Sequence, residues 1–116
     1  MELNTPQPTE LCLDKARRLL VVDFEDGQSF QLSCHYLRTH SPSAEVRGHG
    51  HSEPMLLRGK ENVTITHIEP VGNYAIQIRF DDGHHTGIYS WSFLYELGVN
   101  MEEYENRYAE RLKNTP

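Results

Sequence analysis

Hydrophobic and polar residues alternate over short stretches of this chain, which is the pattern of half-buried β-strands. An Asp-Gly pair separates two such stretches in the first half, at Asp26-Gly27, and two more in the second half, at Asp82-Gly83. Asp-Gly between apolar stretches is typical of a tight hairpin turn. The pattern therefore predicts hairpins in both halves. The predicted strands are 11–13, 18–24, 29–32, 63–68, 74–80 and 87–89.

Three helices are predicted to follow these strands. Ser33 and Ser90 each precede apolar residues with helical spacing, and serine is a favoured N-cap. The second of these short helices is predicted to close at Gly98. Asn100 is predicted to cap a C-terminal helix with acidic residues in its first turn and basic residues in its last. Apolar residues three and four apart give that helix one buried face: Met101, Tyr104, Tyr108 and Leu112.

The two halves repeat the same order of strand, Asp-Gly turn, strand and serine-capped helix, with residues 24–37 echoed by 80–94. We therefore predict an α+β fold, a mainly antiparallel sheet built from two pseudo-symmetric β-hairpin–helix units plus a C-terminal helix. A length of 116 residues suits one domain, predicted at 9–113. Residues 1–8 are predicted to be a flexible tail, and a long polar loop is predicted at about 39–61.

Charge and composition exclude several classes of function. The chain has 17 acidic and 11 basic residues, and a net charge of −6 argues against nucleic acid as a partner. The longest apolar run, 19–22, is far shorter than the roughly 20 residues that span a bilayer, so no membrane partner is expected. No secretory signal is visible, and the two cysteines form no spaced motif. We therefore expect a cytoplasmic protein with reduced thiols.

No group of residues forms a recognisable catalytic motif. Asp81 and Asp82 are adjacent carboxylates, but they belong to the predicted Asp-Gly turn, where neighbouring side chains point apart. Cys34 and His35 are also neighbours, and their side chains would diverge by about 100° on a helix. We expect no enzymatic activity. An enzyme with an unrecognised site is the least favoured hypothesis.

Three segments carry a resemblance to a known family. They are 20–27, 37–45 and 80–94, which read LVVDFEDG, LRTHSPSAE and FDDGHHTGIYSWSFL. In this order, over about residues 9–112, the chain resembles the small domain called DUF971, also known as the γ-butyrobetaine hydroxylase-like N-terminal domain. The resemblance implies an accessory module. In relatives the module precedes an iron- and 2-oxoglutarate-dependent dioxygenase domain, or is fused to carrier ATPases of iron–sulfur cluster assembly. Since 116 residues cannot also hold the dioxygenase domain, we do not expect oxygenase activity.

The resemblance also raises the question of a metal. In the dioxygenase branch of the family, three cysteines and one later histidine hold a structural zinc ion. The corresponding positions here are occupied by Ser41, Ser43 and approximately Val46, and only His84 matches. Neutral hydroxyls do not replace thiolates as zinc ligands, so we expect the family's zinc site to be missing.

A different metal site is an open alternative. If the long loop folds over the second hairpin, imidazoles converge there, and imidazole binds Zn or Fe(II). The alternative without a metal is a set of solvated loop histidines. The candidate ligands for Zn or Fe are His40, His49, His51 and His84.

Two hypotheses of function follow. The first is a non-catalytic accessory or binding module with a protein partner, because loops on a rigid scaffold commonly carry function. The second is a small metal-binding protein or metallochaperone linked to iron–sulfur cluster assembly. The predicted partner-binding surface consists of Arg38, Ser41, Pro42, Ser43, Glu45, Arg47 and His85.

Overall fold

A computed structural model describes residues 6–42, 59–83 and 87–114 of the chain. Within these residues the fold is α+β, with two three-stranded antiparallel sheets, a helix after each sheet and a helix at the C-terminal end. The predicted class and its two pseudo-symmetric units are confirmed. Each unit forms its own three-stranded sheet.

The first unit is a meander of three strands followed by a helix. The strands are β1 (Pro8–Asp14), β2 (Leu19–Phe24) and β3 (Ser29–Ser33), and the helix is α1 (Cys34–Thr39). Strand β2 lies in the centre and alternates strictly between partly and fully buried side chains. Strand β1 begins at Pro8, which is the last residue of the predicted N-terminal tail.

The second unit repeats this order. Its strands are β4 (Ile65–Val71), β5 (Ala75–Phe80) and β6 (Gly87–Ser90), and its helix is α2 (Trp91–Val99). A final helix, α3 (Met101–Asn114), follows after one residue. All four residues predicted for the inner face of α3 are partly buried.

The local chemistry that the sequence predicted is present in both units. The hydroxyl of Ser33 accepts a hydrogen bond from Tyr36 N at 3.0 Å, and that of Ser90 accepts one from Phe93 N at 3.1 Å. Each therefore satisfies an amide that the helix itself leaves unpaired. The two turn glycines have nearly equal positive φ angles, 93° at Gly27 and 91° at Gly83, which suits a residue without a side chain.

The core lies between the inward faces of the two sheets and the apolar sides of α1 and α2. The buried side chains include Leu20, Val22, Leu32, Leu37, Ile76, Ile78, Leu94 and Leu97.

The position predicted for the end of α2 is wrong. Gly98 lies inside the helix, which continues to Val99. A Cβ atom at Gly98 would lie 2.3–2.7 Å from atoms of the Phe30 ring. Glycine is required there because an aromatic ring of the other unit packs directly against the helix backbone.

Candidate functional site

The candidate site is built around the C-terminal end of α1, where the sequence placed the start of its functional loop. The cap at Ser33 fixes the start of this six-residue helix, so Arg38 comes in its last turn and His40 at its C-cap. Arg38 carries a charge, yet its side chain is only 4% exposed. An arginine is rarely buried to this degree unless it is paired.

The partner of Arg38 is the hairpin turn of the second unit. Arg38 Nε donates to Asp82 Oδ2 at 2.8 Å, and Lys60 Nζ donates to the same oxygen at 2.8 Å. The Asp82 and Lys60 side chains are 18% and 25% exposed, so all three groups are largely shielded from water. The pairing joins the end of α1, the segment that enters β4, and the β5–β6 turn.

A second contact fixes α1 to strand β6. The hydroxyl of Tyr89 donates to the carbonyl of Leu37 at 2.5 Å, and the Ser41 side chain hydrogen-bonds to Tyr89. Tyr89 and Ser41 are both fully buried, and burial raises the pKa of Tyr89 well above its ordinary value. Gly87 leaves the room for this contact, because a Cβ there would lie 2.9 Å from Ser41 Oγ.

A corresponding contact joins α2 of the second unit to the Asp-Gly turn of the first unit. Tyr95 follows Ser90 by as many residues as Arg38 follows Ser33, and its hydroxyl donates to Asp26 Oδ2 at 2.6 Å. This hydrogen bond lowers the pKa of Asp26 and raises that of Tyr95. The helix of each unit thus holds the Asp-Gly turn of the other. The units differ in chemistry, with a neutral phenol at one turn and two cations at the other.

Two residues of the predicted partner-binding surface are buried. Arg38 and Ser41 are 3% and 0% exposed, so neither side chain is open to direct contact with a partner. Pro42 is partly exposed at the start of the loop. The other four members lie outside the described residues: Ser43, Glu45, Arg47 and His85.

His40 is the one candidate metal ligand among the described residues. Its Nδ1 lies 3.1 Å from the Tyr36 carbonyl oxygen and 3.1 Å from Thr39 Oγ1. Its ring stacks on Tyr104 of α3, with 6.1 Å between centroids and 8° between planes. His40 therefore faces α3. The remaining candidates, His49, His51 and His84, lie outside the described residues, so their convergence stays a prediction.

Of the zinc positions that the family resemblance implies, one lies among the described residues. Ser41 stands at the first of them, and its buried side chain is used in the hydrogen bond to Tyr89. Ser43, Val46 and His84 lie outside the described part of the chain. Within that part, no group of three or more histidine, cysteine or acidic residues is placed to hold a metal ion.

The cysteines differ in their surroundings. Cys34 is fully buried in the core, and burial raises the pKa of its thiol, which disfavours the reactive thiolate. Cys12 is exposed on β1. Of the helices that the structure describes, none combines the length and the apolar character needed to cross a membrane.

Sequence reasoning missed Asp82 and Lys60 as members of the site. The Asp-Gly pattern predicts only a turn at Asp82, and Lys60 lies in the segment predicted to be a long loop. The repeat carried a usable signal, because Asp82 in the second unit is the counterpart of Asp26 in the first.

Comparison with known proteins places this architecture in a family. Residues 11–95 match the family profile described as gamma-butyrobetaine hydroxylase-like, N-terminal. Among curated proteins, none matches the chain.

Solved structures match over most of the chain. One structure determined by NMR in solution is 48% identical, with a TM-score of 0.85 over 98% of this chain and 85% of its own. A second NMR structure is 39% identical, with a TM-score of 0.81 over 95% and 86%.

A crystal structure at 1.93 Å resolution also matches. It is a protein of unknown function of the DUF971 family from Acidithiobacillus ferrooxidans ATCC 23270, 36% identical. Its TM-score is 0.67, over 79% of this chain and 92% of its own. With the profile matched over residues 11–95 and the same fold in these relatives, the chain belongs to the gamma-butyrobetaine hydroxylase-like N-terminal domain, or DUF971, family.

Proposed function

We propose that this chain is a non-catalytic accessory module that acts in the cytoplasm by binding a protein partner. The docking surface would comprise Pro42, Lys60 and the residues of the predicted surface that follow Pro42. The observation that carries the proposal is the shielded cluster of Arg38, Asp82 and Lys60.

The physical argument concerns what such a cluster contributes. Removing charges from water is costly, and a buried ion pair is often no more stabilising than apolar residues of the same volume. Its geometry, however, is specific, because two cations from different segments of the chain meet the same carboxylate oxygen, each at 2.8 Å. The cluster holds Lys60 and the end of α1 in fixed positions on the second hairpin. Rigid support of this kind is what a binding loop needs.

The test compares variants in a tag-free pull-down from the native cell with quantitative mass spectrometry. One variant lacks residues 48–52, and a second carries Lys60→Ala, which leaves Asp82 paired with Arg38. The matched control is Arg17→Ala, because Arg17 is 68% exposed in the β1–β2 turn and pairs with Asp14, outside the cluster. All three should keep a cooperative thermal unfolding transition, so that a lost partner is not explained by a lost fold.

We expect a partner that the parent chain and the Arg17 variant both retain, and that the deletion and the Lys60 variant lose. A partner retained at full yield by the deletion and the Lys60 variant contradicts the proposed surface. Loss of the partner from the Arg17 variant as well would place the interface elsewhere.

A second candidate function, a small Zn- or Fe-binding protein linked to iron–sulfur assembly, is favoured by the surroundings of His40. Its Nδ1 lies within hydrogen-bond distance of a backbone carbonyl, and this contact commonly orients a ligating imidazole. If Nδ1 donates there, Nε2 carries the lone pair that a metal needs.

Titration of tag-free chain with Zn or Fe(II), followed by NMR, tests this alternative. We expect the signals of His40, His49, His51 and His84 to move at one equivalent of metal. His67 is the internal control, since it is exposed on β4 and belongs to neither the loop nor the Asp-Gly turn. Unmoved loop signals, or equal shifts at His67, would reject the metal function, as would purified protein free of Zn and Fe by elemental analysis.

A further inference from the structure

Of the three helices that the structure describes, the C-terminal helix α3 is the least buried. None of its residues, all of which the structure describes, is fully buried. In α1 and α2, by contrast, several side chains are completely enclosed. The match to the family profile ends at residue 95, before α3 begins.

The surface on which α3 packs, called its seat below, is formed by His35 on α1 and His40 at the C-cap of that helix. The His35 and Tyr108 rings meet edge to face with 5.5 Å between centroids, and His40 stacks on Tyr104. Tyr108 also lies 6.0 Å from the His40 ring. These contacts join α3 to the first unit of the fold. The α3 of a second copy would make the same contacts if it occupied the same place.

The joint between α2 and α3 is a single residue. Asn100 has φ −103° and ψ 20°, whereas a regular helix has about −63° and −42°. Helical hydrogen bonds nevertheless run across it, from Asn100 N to Glu96 O at 3.0 Å and from Tyr104 N to Asn100 O at 2.9 Å. Rotation about one residue's backbone would therefore turn α2 and α3 into one continuous helix.

Two side-chain contacts hold the bend, and both end on Glu96. Asn100 Nδ2 donates to the Glu96 carbonyl at 3.0 Å, and the Tyr104 hydroxyl donates to Glu96 Oε2 at 2.6 Å. The second contact raises the pKa of Tyr104 to about 12. In a straight helix, residues 96 and 104 lie roughly 12 Å apart along the axis, so this contact would be lost.

We propose that α3 is exchanged between two copies of this chain. In the dimer, α2 and α3 straighten at Asn100, and the α3 of each copy occupies the His35–His40 seat of the other. The exchanged helix makes the same ring contacts as in the monomer, so exchange costs mainly the association of two chains and the contacts to Glu96. Since each copy carries a charge of −6, salt favours the dimer by screening the repulsion between them.

The test is a pair of variants that lose the same side-chain hydrogen bond. Asn100→Ala and Asn100→Gly both remove the amide, but alanine favours a continuous helix and glycine opposes it. Two joints straighten in each dimer, so the association constant of the alanine variant should exceed that of the glycine variant by about 30-fold. Light scattering after size-exclusion chromatography measures both, in low and in high salt.

A second measurement identifies the exchanged element. An equal mixture of isotope-labelled and unlabelled Asn100→Ala chains should show nuclear Overhauser effects between His35 of one copy and Tyr108 of the other. The proposal is overturned if both variants associate equally, if both stay monomeric at millimolar concentration, or if the Tyr108–His35 contact of the dimer lies within one copy.

Discussion

The shielded ion pair of Arg38 and Asp82 is expected to be coupled more strongly than an exposed pair of the same charges. Arg38 Nε lies 2.8 Å from Asp82 Oδ2, and the two side chains are 4% and 18% exposed. On α3, Arg107 Nη2 lies 2.6 Å from Glu103 Oε2, with 53% and 60% exposure. Water screens the second pair far more than the first, although the distances are similar.

The magnitude follows from this difference in screening. Unit charges about 4 Å apart attract by about 4 kcal/mol at an effective dielectric constant near 20, and by about 1 kcal/mol in water. Desolvation offsets part of the larger figure, so we predict a coupling free energy of about 1–3 kcal/mol for Arg38 and Asp82. An exposed pair on a helix contributes about 0.3–0.5 kcal/mol. Lys60 stays beside Asp82 when Arg38 is replaced, and this remaining ion pair reduces the loss of stability in that variant.

Two double-mutant cycles measure these couplings. The first uses Arg38→Ala, Asp82→Ala and the double variant, and the second uses Glu103→Ala, Arg107→Ala and their double variant. Urea unfolding followed by circular dichroism at pH 7 gives the free energies, and the cycle subtracts the packing that Arg38→Ala also removes. For 116 residues, 1 kcal/mol corresponds to about 4 °C in Tm.

A coupling in the first cycle equal to or below that in the second refutes the reasoning. The pair would then contribute no more than a surface contact, which is too little to hold the end of α1 in position. Raising the salt to 1 M is a further check, since it should weaken the coupling on α3 more than the shielded one.

Three further predictions concern local features of the fold. Ser33→Ala should lower the free energy of unfolding by about 1 kcal/mol in urea, and Ser33→Asp, which restores a capping oxygen, should recover most of it. Gly98→Ala places a methyl group against the Phe30 ring and should cost about 1–3 kcal/mol, a loss that Phe30→Leu in the same chain should reduce. Tyr95→Phe should lower stability at neutral pH. The difference in free energy of unfolding between this variant and the parent chain should shrink as pH falls through the depressed pKa of Asp26. It should also shrink as pH rises through the raised pKa of Tyr95. Unfolding curves taken across pH measure this difference. A constant difference at every pH would contradict the assignment of the hydrogen bond.

The elements that depend on nearest neighbours could be predicted from the sequence. Ser33 and Ser90 cap their helices because a hydroxyl reaches an amide only three residues away. Gly27 and Gly83 turn their hairpins because positive φ angles suit glycine. Both kinds of feature are settled within a few residues of chain, so the repeat was visible before any fold was known.

The candidate site could be located only in part. The sequence singled out Arg38 and Ser41 but placed them on a surface, because nothing local marks an arginine in the last turn of a short helix as buried. Its partner Asp82 lies in the β5–β6 turn, 44 residues away in the chain. Gly98 shows the same limit, since a glycine near a helix end is a common stop signal and only the Phe30 ring explains it here.

By itself the sequence determined the strands, the turns, the caps and the duplication of a hairpin–helix unit. The tertiary structure alone decided that the helix of each unit holds the turn of the other, through Arg38 and Asp82 in one direction and Tyr95 and Asp26 in the other. These partners lie 44 and 69 residues apart. Periodicity and turn chemistry report on the few residues around each position, whereas pairing across such distances depends on how the two sheets pack together.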